Sequence, residues 1–505
     1  MHPSHFARIT SRKPAVVFMP GGAELTYEEL ERRANQGARL LRVLGVRRGD
    51  ALAFCVENSP VFLEIAWAAQ RAGAIFTPVS VKSSADDLAY VIGDCGAKVA
   101  IVSANCEAAA GMARLRPPGL KILGAHGAQD WPAWEILREA MPSDPLVDPA
   151  PGREMMYSSG TTGRPKGVRK PMPQGAFDDP DPRNAMMMKT QGVNSDTVFL
   201  CTSPLYHSAP YRSMAGTLCH GGTCVVMEHF DAELALECID KFQCTHSLWV
   251  PTMFNRLLRL PDEARARHDL GSLRLALHGA ASCPVHVKER MIAWWGPVLL
   301  EYYAGTEGIG ACMITSEEWL RHKGSVGRAV DGEIHILDDA GREVAVGETG
   351  IVHFAGASSF AYWNDPHKTS ASRSPQGWWT YGDIGHVDSD GYLYLTDRKH
   401  FMIISGGVNI YPQEIENALS GHADVADAAV FGIPNEDLGE EVKAVVQLTD
   451  PAGAGMLMAQ ELIAFCRSRL GPVKCPKSVD FVQELPRQAT GKLFKRALQD
   501  AYRAR

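Results

Sequence analysis

One short segment of the chain concentrates groups that bind anions. Residues 157–168 read YSSGTTGRPKGV. Glycines let backbone N–H groups approach an anion, hydroxyl side chains donate further hydrogen bonds, and a lysine adds positive charge. The spacing does not fit the Gly-x-x-x-x-Gly-Lys-Ser/Thr pattern of P-loop NTPases, and a flexible surface turn rarely needs so many donors. The segment therefore predicts a phosphate-binding loop. Its candidate ligands are Ser158, Ser159, Gly160, Thr161, Thr162, Gly163 and Lys166.

The segments before this loop alternate between helix and strand patterns. Thr26 and Glu29 have the spacing of a capping box, and helical periodicity follows until Gly45. The predicted strands are 51–56, 74–79 and 98–102, and the predicted helices between them are 61–71 and 85–92. This alternation predicts an α/β fold in which helices cover both faces of parallel sheets.

The pattern changes near residue 325, where short strands alternate with glycine turns. Strands over 333–337, 350–354 and 392–396 predict a small antiparallel, barrel-like piece. The last hundred or so residues have their own βα pattern, with strands over 426–431, 442–448 and 478–482 and a helix over 461–470. We therefore predict two domains. Residues 1–397 form a large N-terminal domain of αβαβα-type sheets with the barrel-like piece, and residues 398–505 form a small, mobile α+β domain.

The composition excludes several classes of protein. The 51 basic and 58 acidic residues give a net charge of −7, so we expect neither nucleic acid nor an anionic membrane as the main partner. No window is apolar over the roughly 18 residues that a membrane span needs, and Arg8, Arg12 and Lys13 interrupt any signal-peptide core. The twelve cysteines are scattered, which is typical of core residues in a reducing compartment. We expect a cytoplasmic protein; a homodimer stays open.

Further segments follow the phosphate-binding loop in a defined order. They are residues 204–210 (PLYHSAP), 303–307 (YAGTE), 379–383 (WTYGD), 397–398 (DR), 404–416 (ISGGVNIYPQEIE) and 486–493 (PRQATGKL). Together with the loop, they resemble the motifs of the adenylate-forming (AMP-binding) superfamily, and within it the acyl-CoA synthetase or fatty-acid–CoA ligase branch. The resemblance extends over almost the whole chain.

The resemblance implies that a carboxylate attacks the α-phosphate of ATP and that the acyl group then passes to CoA. It assigns Mg²⁺ to Glu307, the ribose hydroxyls to Asp383 and Arg398, and the bridge between carboxylate and α-phosphate to Lys492. His207 becomes a gate between the adenylate pocket and the thiol channel rather than a general base, and Thr306 joins His207 and Lys492 among the catalytic residues. The adenine wall and the other expected cofactor contacts are Gly279, Ala280, Ala281, Glu301, Tyr302, Tyr303, Thr306, Ser405, Gly406 and Gly407.

By the same resemblance, the acyl pocket draws on residues 207–211, 249–254, 278–281 and 305–310. These segments mix small and aromatic residues and offer no cationic partner for a second carboxylate. They favour a bulky, apolar acid of the fatty, aromatic or polycyclic class over acetate or a diacid such as malonate.

Three positions depart from the superfamily pattern. His400 stands at the expected hinge, where Asp or Lys is usual, and Ser282 stands where many relatives have proline. Tyr381 precedes Gly382-Asp383 in place of the common Thr or Leu. We expect Tyr381 and Ser282 to alter walls near the nucleoside and to weaken ATP binding without abolishing it, and the changed hinge to bear on domain rotation.

Other functions remain open at this point. We expect no attached carrier domain, so a stand-alone adenylating enzyme would load a carrier protein in trans. An enzyme limited to thioester formation from supplied acyl-AMP is a second alternative. A non-catalytic acyl or nucleotide sensor is a third, against which the presence of Lys166, Glu307 and Lys492 argues.

Overall fold

The structure is a computed structural model that describes residues 1–106, 108, 119–128, 130–158, 164–356, 360–398, 401–487 and 493–503. It divides into two compact units. The first unit comprises the described residues of Met1–Trp249, Met253–His278 and Ser359–Thr369, and the second those of Val250–Thr252, Gly279–Ser358 and Ser370–Arg505. These two units are made of discontinuous segments, whereas the predicted boundary cuts the chain once, between residues 397 and 398. That boundary stays a proposal.

Helices and strands alternate up to residue 278. The helices are α1 (Pro3–Ile9), α2 (Tyr27–Val43), α3 (Pro60–Arg71), α4 (Ala85–Asp94), α5 (Trp134–Glu139), α6 (Pro182–Thr190), α7 (Ser208–Leu218), α8 (Ala232–Phe242), α9 (Pro251–Leu258) and α10 (Asp262–Ala266). The strands are β1 (Pro14–Met19), β2 (Ala23–Thr26), β3 (Ala51–Cys55), β4 (Ile75–Pro78), β5 (Ala97–Ser103), β6 (Lys121–Ala125), β7 (Arg153–Glu154), β8 (Met156–Ser158), β9 (Lys166–Arg169), β10 (Val198–Cys201), β11 (Thr223–Met227), β12 (His246–Trp249) and β13 (Leu275–His278).

From residue 279 onward strands predominate. The helices are α11 (Val285–Trp295), α12 (Ser316–Arg321), α13 (Pro366–Ala371), α14 (Pro412–Leu419), α15 (Met456–Lys474) and α16 (Lys495–Arg503). The strands are β14 (Leu299–Ala304), β15 (Ala311–Thr315), β16 (Arg328–Asp331), β17 (Glu333–Leu337), β18 (Gly350–Ala355), β19 (Ala361–Tyr362), β20 (Asp383–Val387), β21 (Leu393–Arg398), β22 (Ile403–Ser405), β23 (Val408–Ile410), β24 (Val425–Asn435), β25 (Gly439–Leu448) and β26 (Ser478–Phe481).

The first unit has the predicted α/β architecture. Strands β6-β5-β3-β4-β7 form a wholly parallel sheet. A second sheet runs β13-β12-β10-β11-β1-β2 and is parallel except for the β1–β2 pair. A short antiparallel sheet, β19-β9-β8, carries both arms of the predicted phosphate-binding loop. Helix-covered strands are buried on both faces, which explains their continuous apolar sequence.

The second unit is built mainly from antiparallel pairs. Strands β14, β15 and β16 pair antiparallel in that order. Strands β17-β18-β20-β21 form an antiparallel sheet, which is the predicted barrel-like piece. Another sheet, β23-β22-β25-β24, has β26 parallel to β25 and packs its apolar face against α14 and α15. Helix α15 begins at Met456, before the predicted start of 461, and has a break at Gly471, whose φ is +77°. The break directly follows the predicted end at residue 470.

The start of α2 differs from prediction in one detail. The Thr26 hydroxyl accepts a hydrogen bond from the Glu29 backbone at 3.2 Å, as expected of an N-cap. The reciprocal half of the capping box is missing because the Glu29 carboxylate accepts from Arg33 Nε at 2.8 Å instead. The full box occurs at α12, between Thr315 and Glu318. No helix in the described part of the chain is long and apolar enough to cross a membrane.

Candidate active site

Asp383 lies at the start of β20 with a carboxylate held from two sides. It is 6% exposed, its Oδ2 accepts a hydrogen bond from Tyr303 Oη at 2.6 Å, and its Oδ1 lies 3.0 Å from Arg398 Nε. In the register of the β20–β21 pair, Asp383 stands opposite Arg398. The antiparallel ladder therefore brings together the two residues that the resemblance assigned to the ribose.

The charges around Asp383 reinforce one another. Asp383 is the largest influence that raises the pKa of Arg398 above its usual value, and Glu307 adds to it against the opposing effect of burial. Burial, with Asp383 adding, raises the pKa of Tyr303 far above its usual value. Tyr303 therefore stays protonated and donates to the carboxylate, which leaves the carboxylate as the fixed acceptor.

The predicted adenine wall is a close contact between two chain segments. A side chain at Gly279 would lie 2.6 Å from the Tyr302 carbonyl oxygen and 2.7 Å from its ring, so only glycine fits. Ala280 has a φ of +69°, a conformation that non-glycine residues seldom adopt. Backbone strain of this kind clusters at ligand sites, which supports the prediction at Gly279 and Ala280; the half-buried Ala281 follows them.

Glu301 is committed to a different partner. Its Oε2 lies 2.6 Å from Nζ of Lys288, whose side chain is completely buried, and that nitrogen lies 4.9 Å from the Trp319 ring centroid. Burial raises the pKa of Glu301 above its usual value, against the lowering effect of the Lys288 charge. Among the three β14 residues proposed for the adenine wall, the structure favours Tyr302 and Tyr303 over Glu301.

Thr306 and Glu307 occupy the two central positions of a tight turn after β14. The Gly308 N–H donates to the Gly305 carbonyl at 3.1 Å and closes the turn. Both side chains are half-buried. Mg²⁺ is usually bound by one or two carboxylates together with substrate phosphates and water. The single Glu307 carboxylate beside the Thr306 hydroxyl therefore fits the donor set expected of an ATP-bound magnesium ion.

Tyr381 packs against the turn that follows β14, and its ring also lies edge-on to that of Tyr303, with centroids 5.7 Å apart. Its hydroxyl donates to the Gly310 carbonyl at 2.9 Å and accepts from the Ile309 N–H at 3.2 Å. Its ring occupies the space that a side chain at Gly305 would need, and a Cβ there would overlap the ring. Tyr381 thus supports the segment that carries Thr306 and Glu307. Ser282, the second suspected wall residue, is exposed, so it is not part of a packed wall.

The two arms of the phosphate-binding loop pair in register in the first unit. Ser158 ends β8, Lys166 begins β9, and the two residues stand opposite each other. This pairing brings a hydroxyl and a positive charge, two of the predicted phosphate ligands, side by side. Loop residues Ser159, Gly160, Thr161, Thr162 and Gly163 lie outside the described residues.

His207 immediately precedes α7 and packs its ring edge-on against Tyr206, with ring centroids 4.5 Å apart.

Ser405 ends β22, and Gly406 and Gly407 form a two-residue hairpin turn with φ values of +56° and +80°, as expected of a type I′ turn. Lys492 and His400 lie outside the described residues. Their predicted roles, and those of His207 and the hairpin, remain proposals.

Several residues of these networks were missed from the sequence. By its sequence alone, Lys288 is typical of an exposed helix residue. No sequence pattern indicates that it pairs with Glu301 in β14. Asp94, at the end of α4, contacts the base of the phosphate-binding loop. The sequence did offer one indication for Asp94. A carboxylate in the last turn of a helix is repelled by the helix dipole, so its presence there suggests that it has a partner from another segment.

The chain is similar to known proteins over its whole length. Residues 4–363 match the family model described as AMP-binding enzyme, and residues 414–492 match its C-terminal domain. Feruloyl-CoA synthase of Amycolatopsis sp. is 34% identical over 98% of this chain and 96% of its own. Long-chain-fatty-acid–CoA ligase FadD13 of Mycobacterium tuberculosis is 31% identical over 99% and 97%. ATP-bound MatB from Rhodopseudomonas palustris is 27% identical, with a TM-score of 0.83 over 100% of this chain and 99% of that one.

Proposed function

This chain belongs to the AMP-binding enzyme family, and we propose that, as an acyl-CoA ligase, it activates a bulky, apolar acid of the fatty, aromatic or polycyclic class. As an acid–thiol ligase of this family it uses ATP, Mg²⁺ and CoA. The acid and ATP give acyl-AMP and pyrophosphate, and the CoA thiol then displaces AMP.

The observation that carries the substrate class is the charge of the acyl-pocket segments. Residues 207–211, 249–254, 278–281 and 305–310 contain no lysine or arginine. The next arginine after the first segment, Arg212, donates from Nε and Nη2 to Glu154 Oε1 at 3.0 and 2.9 Å. A second carboxylate on the substrate would lose its water without gaining a cation, which costs several kcal/mol. Diacids are therefore disfavoured.

The named substrates of the relatives agree with this reasoning. One relative is named for feruloyl-CoA, an aromatic acyl thioester, and the other for long-chain fatty acids. Both are bulky monoacids with a largely apolar body. Because the relatives differ from each other in acid, they support the class and leave its member open.

The nucleoside is assigned to the Asp383 cluster. An ionised carboxylate offers about four acceptor positions, and Tyr303 and Arg398 occupy one on each oxygen. The remaining positions can accept from the ribose hydroxyls. Because both partners are in place before the nucleotide binds, the carboxylate is oriented in advance, and little ordering has to accompany binding.

The triphosphate is assigned to Ser158, Lys166 and Glu307, and the reacting carboxylate to Lys492. Glu307 would hold Mg²⁺, which would neutralise part of the phosphate charge. Lys166 adds a fixed positive charge at the end of the β8–β9 pair, and Lys492 offsets the repulsion between the attacking carboxylate and the α-phosphate. In such a reaction, positioning and charge neutralisation supply most of the rate enhancement.

A panel of carboxylic acids tests the proposal. The protein is incubated with ATP, Mg²⁺, CoA and one acid at a time, and mass spectrometry measures both acyl-AMP and acyl-CoA. The panel spans acetate, malonate, octanoate, palmitate, ferulate and a steroid-derived acid. We expect kcat/KM for the best bulky acid to exceed that for malonate by about a hundredfold or more.

The pattern of products separates the remaining alternatives. Acyl-AMP without acyl-CoA indicates a carrier-loading enzyme. Thioester only from supplied acyl-AMP indicates an enzyme of the second step alone. No product with any acid indicates a sensor, and preference for acetate or malonate contradicts the proposed pocket.

A further inference from the structure

Helix α4 ends at a residue whose charge opposes the helix. Asp94 is the last residue of α4, and the last turn has no basic residue to offset it. A negative charge there is repelled by the carbonyl end of the helix dipole. The side chain and the backbone carbonyl of Asp94 both have partners from elsewhere in the first unit, and these partners explain its position.

The side chain of Asp94 holds the arm of the phosphate-binding loop that enters it. Tyr157 Oη donates to Asp94 Oδ2 at 2.5 Å. Burial, with this hydrogen bond adding, raises the pKa of Tyr157 far above its usual value, so Tyr157 remains a donor at any working pH. Tyr157 immediately precedes Ser158, and its bond to α4 fixes the strand from which the loop departs.

The same helix face contacts the loop at its other end. Tyr90 lies four residues before Asp94, and residues at this spacing share one face of a helix. The guanidinium of Arg164 lies 5.1 Å from the centroid of the Tyr90 ring. Arg164 stands two residues before Lys166, so α4 contacts both ends of the loop.

A segment distant in sequence completes the arrangement. Residues 360–364, which we call the strap, pair through β19 with β9, and Trp363 N–H donates to the Gly167 carbonyl at 2.8 Å. Trp363 Nε1 donates to the Asp94 carbonyl at 2.7 Å. Asn364 Nδ2 donates to the Asp94 carbonyl and to Asp94 Oδ1 at 3.2 and 3.1 Å. The strap thus joins the exit strand of the loop to Asp94.

Two further features show that this contact is tightly fitted. A side chain at Gly167 would lie 2.9 Å from the Tyr157 ring and 3.2 Å from Trp363 Cβ, so the three residues pack without space for a larger one. Asn364 has a φ of +56°, a left-handed conformation that asparagine tolerates better than most residues. The Arg169 guanidinium stacks 3.9 Å above the Trp363 ring centroid and holds the strap against β9.

We propose that Asp94 is a positioning residue for ATP, acting through Tyr157 and the strap to fix the two arms that present Ser158 and Lys166 to the phosphates. In this proposal Asp94 acts only through these neighbours. The inference rests on the proposed function for the identity of the ligand, but the arrangement can be tested by MgATP binding alone.

The test compares Tyr157→Phe with the matched control Tyr392→Phe. Both remove a tyrosine hydroxyl that donates to a carboxylate, since Tyr392 Oη lies 3.2 Å from Glu318 Oε1 in the second unit. Calorimetry measures the Kd for MgATP, and a thermal scan measures Tm. We expect Tyr157→Phe to raise the Kd about tenfold, as suits the loss of one hydrogen bond to a charged group. The control should leave the Kd within about twofold.

A second variant keeps the test decisive if Tyr157→Phe folds poorly. Trp363→Phe removes the hydrogen bond to the Asp94 carbonyl and retains a ring beneath Arg169, and it should also raise the Kd for MgATP severalfold. In adenylation assays, KM for ATP should rise in both variants while KM for the acid stays constant, which loss of folded protein alone would not produce. An unchanged Kd in both variants overturns the inference. Tight MgATP binding without turnover in the unmodified protein contradicts the proposed function and leaves this inference standing.

Discussion

At the scale of single residues, the structure gives the Tyr381 side chain a supporting role that the sequence did not suggest. From the sequence, we expected Tyr381, which stands in place of the common Thr or Leu, to alter a wall near the nucleoside. In the structure, the ring fills the space left by Gly305, and its hydroxyl satisfies the backbone at Ile309 and Gly310. The large residue at 381 and the missing side chain at 305 therefore compensate for each other.

This compensation gives a prediction with a definite sign. Tyr381→Thr should lower the free energy of unfolding by about 2–4 kcal/mol, because it removes a packed ring and leaves a cavity beside Gly305. KM for ATP should rise rather than fall, because the turn that carries Glu307 loses its support. Chemical denaturation and ATP-dependent kinetics measure the two effects. Ser282→Ala, at an exposed position, serves as the control and should change neither the free energy of unfolding nor KM for ATP by a measurable amount. Tighter ATP binding by Tyr381→Thr would instead support the expectation that Tyr381 weakens ATP binding.

At the scale of secondary-structure elements, the ion pair between α11 and β14 is the clearest case of a buried charge. Lys288→Met should destabilise the protein by about 3–5 kcal/mol, because it leaves Glu301 buried without a cation. Adding Glu301→Leu should recover most of that stability, because two apolar side chains replace the pair. The free energy of unfolding of both variants checks this.

The double variant also decides what Glu301 does. If Glu301 is structural, the recovered protein should bind ATP with a KM within about threefold of the unmodified protein. A recovered fold with a KM for ATP raised tenfold or more would return Glu301 to the nucleotide site.

The elements also show how far the sequence could be used. Apolar runs and helical periodicity predicted the βαβ order of the first hundred residues, because strands buried on both faces carry a strong local signal. The resemblance to the superfamily motifs assigned Asp383 and Arg398 to the ribose, and the two residues proved to be register partners. The contacts of Glu301 with Lys288 and of Tyr381 with Gly305 join separate elements. No local pattern encodes such pairs, and a single sequence does not reveal them.

At the scale of the whole molecule, the two half-reactions are expected to need different groups. Lys492→Ala should reduce acyl-AMP formation by about 10²–10³-fold, because one charge at the developing transition state is lost. Thioester formation from supplied acyl-AMP should stay nearly unchanged if the C-terminal domain alternates between two orientations. Single-turnover assays of each half-reaction measure this. Lys477→Ala, an exposed lysine of the same domain, is the matched control, and equal losses in both half-reactions would contradict the assignment.

Acid-dependent exchange of labelled pyrophosphate into ATP tests the central claim most directly, because it requires only that the protein form acyl-AMP reversibly. With the phosphate-binding arms, Glu307 and the Asp383 cluster in place, we predict exchange that depends on a bulky apolar acid and is at least tenfold slower with acetate or malonate. Purified protein that converts supplied acyl-AMP and CoA to thioester, yet shows no exchange with any acid of the panel, would contradict the account.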